Sequence, residues 1–123
     1  METPLISVVD DDHSVRESLA RLIRSVGFGV QLFGSAEEFL SAGRGREPDC
    51  LILDIRMPGM NGLELQRELS VSDRDLPLIF ITAHGSDEAV RARALKAGAV
   101  DYLLKPLKED EVLQAIDTAL SSK

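Results

Sequence analysis

Short apolar runs alternate with amphipathic segments along this chain. The first run, Leu5 to Val9, is broken only by Ser7 and stops abruptly at Asp10-Asp11-Asp12. Val15, Leu19, Leu22, Ile23 and Val26 then recur at helical spacing, and Gly27 follows as a C-cap. Val30, Leu32 and Phe33 alternate with Gln31, the pattern of a second, less buried strand. Ser35-Ala36-Glu37-Glu38 reads as a capping box opening a short second helix, broken by the polar stretch 43–48. Cys50 to Leu53 is a third strand ending at Asp54, and a third helix carries Leu63, Leu65 and Leu69. Leu78 to Ile81 is a fourth strand ending at Thr82, followed by an Ala-rich helix over 87–97 closed by Gly98. Residues 100–104 form a fifth strand, interrupted by Asp101 and ending at Lys105-Pro106. The last helix, about 108–120, carries Val112, Leu113, Ile116, Ala119 and Leu120 on one face.

Five nearly continuous apolar strands separated by amphipathic helices predict an α/β fold, a doubly wound, flavodoxin-like (βα)5 domain with a parallel sheet covered on both faces. The more polar second and fifth strands belong at the edges, which agrees with strand order 2-1-3-4-5. Ligands of such sheets bind beyond the carboxyl ends of the strands, where the order reverses. That rim collects Asp10 and Asp11 from the first strand, Asp54 from the third, Thr82 from the fourth and Lys105 from the fifth.

Length and composition change this picture little. The chain has 123 residues and is 44% hydrophobic, enough for a single core, and residues 1–123 read as one domain with 121–123 as the possible start of a linker. The net charge of −7 disfavours nucleic-acid binding by this segment. One cysteine, Cys50, allows no internal disulfide and reads as a small core residue. Nothing approaches the roughly 20 apolar residues of a membrane span, and no secretory signal is evident, so the expected location is the cytoplasm.

Three carboxylates, a hydroxyl and an ammonium in one crevice suit a hard cation. Mg²⁺ prefers oxygen ligands and commonly combines one or two carboxylates with a phosphate; zinc is disfavoured because neither His13 nor His84 has a second ligand at useful spacing. Taken singly, each residue has a plainer reading. The acids after the first strand resemble a helix N-cap, Asp54 a turn residue and Lys105 a solvated loop lysine. The site reading accounts for all five together, and Asp12 is left to capping or solvent. Asn61-Gly62 is expected to supply a turn with positive φ before the third helix.

VVDDD, LILDIRMPGMNGLEL, IFITAHG and KAGAVDYLLKPL, in that order and spacing, resemble the receiver domain of two-component response regulators over nearly the whole chain. The HG after the fourth-strand threonine and the MPGMNG loop are most like the FixJ-type, nitrogen-fixation branch. The resemblance implies that Asp54 accepts a phosphoryl group from a sensor histidine kinase. It further implies that Asp10, Asp11, Asp54 and the backbone carbonyl of Arg56 hold Mg²⁺, with Mn²⁺ as substitute, and that Thr82 and Lys105 hold phosphoryl oxygens. On this basis the domain promotes its own phosphorylation and dephosphorylation without being an enzyme in the usual sense. Thr82 and Tyr102 would form a switch, with Tyr102 rotating inward. The side chains of Arg56 and His84 would modulate loss of the phosphoryl group, and the Lys105–Pro106 peptide would be cis. The same likeness implies a phosphorylation-dependent homodimer through the fourth helix, fifth strand and last helix, with Arg91, Leu95 and Lys96 as contacts. DNA would be reached only through a helix-turn-helix domain beyond Lys123.

Three rivals are weaker. A phosphatase of the haloacid dehalogenase type would want an acid where Arg56 stands. A flavodoxin-like binder would want a phosphate-cradling loop where Asp10-Asp11-Asp12 stand. The alternative is a stand-alone or phosphorylation-independent interaction module; a stand-alone receiver would act through protein contacts, whereas a module that never accepts phosphate would have no use for the five rim residues.

Overall fold

The computed structural model describes residues 3–42, 46–83 and 87–121. Five strands, β1 (Leu5–Val9), β2 (Gly29–Phe33), β3 (Cys50–Asp54), β4 (Leu78–Thr82) and β5 (Asp101–Leu104), alternate with five helices. These are α1 (His13–Ser25), α2 (Ala36–Ser41), α3 (Gly62–Val71), α4 (Glu88–Lys96) and α5 (Glu109–Ser121). The strands form one parallel sheet in the order β2-β1-β3-β4-β5. As their polarity predicts, β2 and β5 are only partly buried and lie at the edges, whereas β1, β3 and β4 are buried throughout.

Alternation along the strands sorts the core into two halves. Ile6, Val8, Cys50, Ile52, Ile79, Ile81 and Leu103 pack with Leu19 and Ile23 of α1 and with Val112, Ala115, Ile116 and Ala119 of α5. Val9, Leu51, Leu53, Leu78, Phe80 and Tyr102 pack with Phe39 of α2, Leu65 and Leu69 of α3 and Ala94 of α4. Successive side chains of a strand point to opposite faces. The sheet is therefore covered by α1 and α5 on one side and by α2, α3 and α4 on the other. Helix α4 is the least anchored, with Ala94 its one buried side chain.

Helix ends follow local chemistry. Asp12 caps α1, its Oδ1 accepting from Ser14 N at 2.8 Å, so the plain reading was right for this third acid. Ser35 caps α2, accepting from Glu38 N at 3.0 Å, but Glu38 accepts from Gly34 N instead of closing the box on Ser35. The reciprocal capping box belongs to Asn61 and Glu64 at α3. Helix α4 starts one residue later than expected, because Asp87 is its cap, and α5 starts at Glu109.

The Asn61-Gly62 expectation needs correction. Asn61 has φ −86°, and the left-handed residue of that loop is Gly59, at φ 74°. Gly62 is required for a different reason, close approach: a Cβ there would stand 2.6 Å from the Asp54 carbonyl oxygen and 2.9 Å from Ile55 Cα.

A buried arginine went unnoticed in the sequence. Arg74 is 8% exposed, forks onto Glu47 at 3.0 and 2.7 Å, and lies 5.2 Å from the centre of the Phe39 ring. Phe39 in turn meets Phe33 edge to face. Arg74→Ala is expected to cost about 1–2 kcal/mol of unfolding free energy, measured by urea denaturation. Arg74→Lys should recover only part of it, since an ammonium cannot make the fork.

Candidate functional site

Register builds the site. Val9 pairs with Leu53, Asp54 with Ile81, and Thr82 with Leu104, so the ends of four strands share one rim. Beyond the ladder, Ile55 N donates to Ile81 O at 3.1 Å and Lys105 N to Thr82 O at 2.8 Å, carrying the pairing past the last strand residues. Extending the alternation puts Asp10, Asp54 and Lys105 in phase with the α1/α5 face. Thr82 and Tyr102 fall in phase with the α2/α3/α4 face.

Contacts agree with that phase. Lys105 Nζ lies 3.0 Å from Asp10 Oδ2 and 3.5 Å from Asp54 Oδ2. Asp10 is fully buried, Asp54 is 4% exposed and Thr82 1%, whereas Asp11 is exposed. One carboxylate oxygen from each of Asp10, Asp11 and Asp54 lies within 4.8 Å of the others. Asp54 Oδ1 also accepts from Arg56 N at 3.3 Å. The Arg56 side chain is exposed, and the Lys105–Pro106 peptide is cis. His84 lies outside the described residues. Tyr102 is already buried, packed among residues of the α2/α3/α4 half, so the expected inward rotation starts from an inward position.

Electrostatics mark Asp54 as the unusual acid. Burial, and then the nearby Asp10 carboxylate, push its pKa up from 3.8 to about 6, against the opposing pull of Lys105 and the Arg56 N–H. Burial acts to lower the Lys105 pKa, but its contacts with Asp10 and Asp54 outweigh it and hold the ammonium above its usual value. Burial also raises the Tyr102 phenol.

The donor set suits a hard cation. All three groups are carboxylates, and the buried Asp10 Oδ2 has the Lys105 ammonium, at 3.0 Å, as its cationic partner. Lys105 and a divalent cation would compete for the same oxygens. Lys105→Met is therefore expected to tighten Mg²⁺ binding by about tenfold, read by titration calorimetry.

Two further side chains belong to the site's frame and gave no signal in the sequence. Glu37 of α2 accepts from Met60 N at 2.8 Å, which lowers its pKa and ties α2 to the loop after β3. A Cβ on Gly59 would fall 2.6 Å from the same carboxylate. Arg16 of α1 donates from Nη1 to the Asp10 carbonyl at 2.7 Å.

Residues 6–117 match the response regulator receiver domain. The chain belongs to that family. This receiver domain is 47% identical over 116 residues to the response regulator protein TodT of Pseudomonas putida, covering 94% of the chain and 51% of TodT. It is 41% identical over 115 residues to the transcriptional regulatory protein FixJ of Bradyrhizobium diazoefficiens, covering 94% of the chain and 56% of FixJ. A solved structure of the response regulator StyR superposes with a TM-score of 0.89 at 48% identity, over 98% of this chain and 60% of that one. The receiver domain is thus FixJ-like, as the MPGMNG loop suggested, and it spans about half the length of the curated relatives it matches. Among the described residues no helix is long and apolar enough to cross a membrane.

Proposed function

We propose that this receiver domain takes a phosphoryl group onto Asp54 from the phosphohistidine of a sensor kinase. The observation that carries this is the convergence of Asp10, Asp11, Asp54 and Lys105 at the sheet rim. A carboxylate oxygen of Asp54 attacks phosphorus in line; the P–N bond breaks, and the imidazole leaves with its electron pair and takes up a proton. Lys105 reaches the transferred oxygens from the α5 side, and the Thr82 hydroxyl from the opposite face. Asp10, Asp11, Asp54 and the Arg56 carbonyl would hold Mg²⁺. When bound, the ion offsets the negative charge of the acids and of the incoming phosphoryl oxygens.

The groove between α1 and α5, 380 Å³ in volume, is lined by Val15, Leu22, Pro106 and Leu107 beside Lys105, and offers the kinase an apolar bed next to the acceptor. Movement of Thr82 toward the phosphoryl group, with Tyr102 behind it on β5, alters the α4-β5-α5 face. Arg91 and Lys96 are exposed there and Leu95 half-buried, as a homodimer contact requires. The relatives named as transcriptional regulators favour control of transcription through a further domain; 1–123 is assigned as one receiver unit, acting in the cytoplasm. Arg56 and His84 are assigned to setting the lifetime of the acyl phosphate.

The test is incubation with acetyl phosphate and Mg²⁺ followed by mass spectrometry. One addition of about 80 Da, abolished by EDTA and mapped to Asp54, is expected. No addition, or one placed elsewhere, overturns the reading.

A further inference from the structure

We infer that Arg16 is a positioning residue for the metal ligand Asp10, an inference that rests on the reading above. Asp10 is the one fully buried carboxylate among the three acids, and its geometry is fixed from every side but one. Its N–H donates to Phe33 O at 3.1 Å. Its Oδ1 accepts from Asp12 N at 2.8 Å. Its carbonyl accepts from Arg16 Nη1 at 2.7 Å. What remains is Oδ2, which faces the Lys105 ammonium at 3.0 Å on the side of the acidic cluster.

Arg16 suits this task because of where α1 begins. With Asp12 as cap, Arg16 is the residue whose N–H closes the first helical bond, to Asp12 O at 3.1 Å. Side chains of a helix lean toward its N-terminus, so the guanidinium reaches back over the 10–12 turn. Main chain and side chain of one residue thus hold both ends of that turn. The partly buried head also lies at the β2–α2 junction, 3.6 Å from the position a Gly34 Cβ would take.

Two influences on the metal have opposite signs. As a cation near three acids, Arg16 weakens binding of another cation. As the clamp on the Asp10 main chain, it strengthens binding by keeping Oδ2 aimed at the site. The clamp dominates, because partners that orient a metal ligand typically carry about 10-fold or more of the affinity, whereas the guanidinium is spent on a neutral carbonyl and is partly screened by solvent.

The experiment is calorimetric titration of Mg²⁺ into the parent, Arg16→Met and Arg16→Lys, at fixed ionic strength, with the folded fraction of each checked by thermal unfolding in EDTA. Arg16→Met should bind Mg²⁺ about tenfold more weakly, and Arg16→Lys should recover most of the loss. Tighter binding by Arg16→Met means that only charge acts there, and unchanged binding with a lower Tm means that Arg16 merely stabilises the fold; either result overturns the inference. Should the parent itself take up no Mg²⁺, the metal reading fails, which separates that failure from this one.

Discussion

Asp54→Asn is expected to accept no phosphoryl group from acetyl phosphate and, in EDTA at pH 7, to be more stable than the parent by up to about 3 kcal/mol. The first result follows from the loss of the attacking carboxylate oxygen. The second follows from burial. The Asp54 carboxyl has a pKa of 3.8 in its ordinary surroundings and about 6 in the fold. Because the folded value is the higher one, the folded protein holds this proton more tightly than the unfolded chain does. Below about pH 4 both states are protonated and the contribution to stability is fully present. It is lost as pH rises through about 6, where the buried acid ionises beside Asp10. Asparagine is neutral throughout, so the stability gap between variant and parent should open between pH 4 and 7. Denaturant unfolding of both proteins across that range, with EDTA present, measures it. A gap that stays flat would show that the site tolerates the Asp54 charge without a metal. Added Mg²⁺ should close much of the gap, because it binds the folded parent and not the unfolded chain.

Gly62→Ala is expected to cost about 2–3 kcal/mol, roughly 10 °C in Tm. The added methyl would meet the Asp54 carbonyl oxygen at 2.6 Å and Ile55 Cα at 2.9 Å, both backbone atoms, with the Phe80 ring edge at 3.1 Å. Backbone cannot swing aside as a lysine tip can. Nor can α3 retreat freely, since Gly62 N donates to Ile55 O at 2.8 Å and Asn61 and Glu64 lock the helix start into a reciprocal box. The strand bearing Asp54 must yield, so phosphorylation should slow along with the loss of stability. A variant within about 0.5 kcal/mol of the parent would show that the β3–α3 junction is softer than this packing implies.

These two positions also show what the chain discloses without coordinates. Strand order was legible because each strand's exposure is written in its residues: Gln31 and Asp101 marked the edges, and nearly continuous apolar runs marked the centre. The rim followed directly, since Asp10, Asp54, Thr82 and Lys105 each end an apolar run. Gly62 was singled out for the wrong cause, because a glycine needed for close approach and one needed for positive φ look alike in a sequence. The contacts of Arg16, Glu37 and Arg74 gave no sign at all. Their partners are a carbonyl, an amide and a distant Glu47, and long flexible side chains meet such groups through tertiary geometry that no periodicity records.

The split of the core into two halves has a final consequence. Asp10, Asp54 and Lys105 keep step with one layer of helices, Thr82 and Tyr102 with the other. If the proposed function holds, a phosphoryl group on Asp54 that also meets the Thr82 hydroxyl would tie the two layers together across the rim, like a clip over the edge of a card.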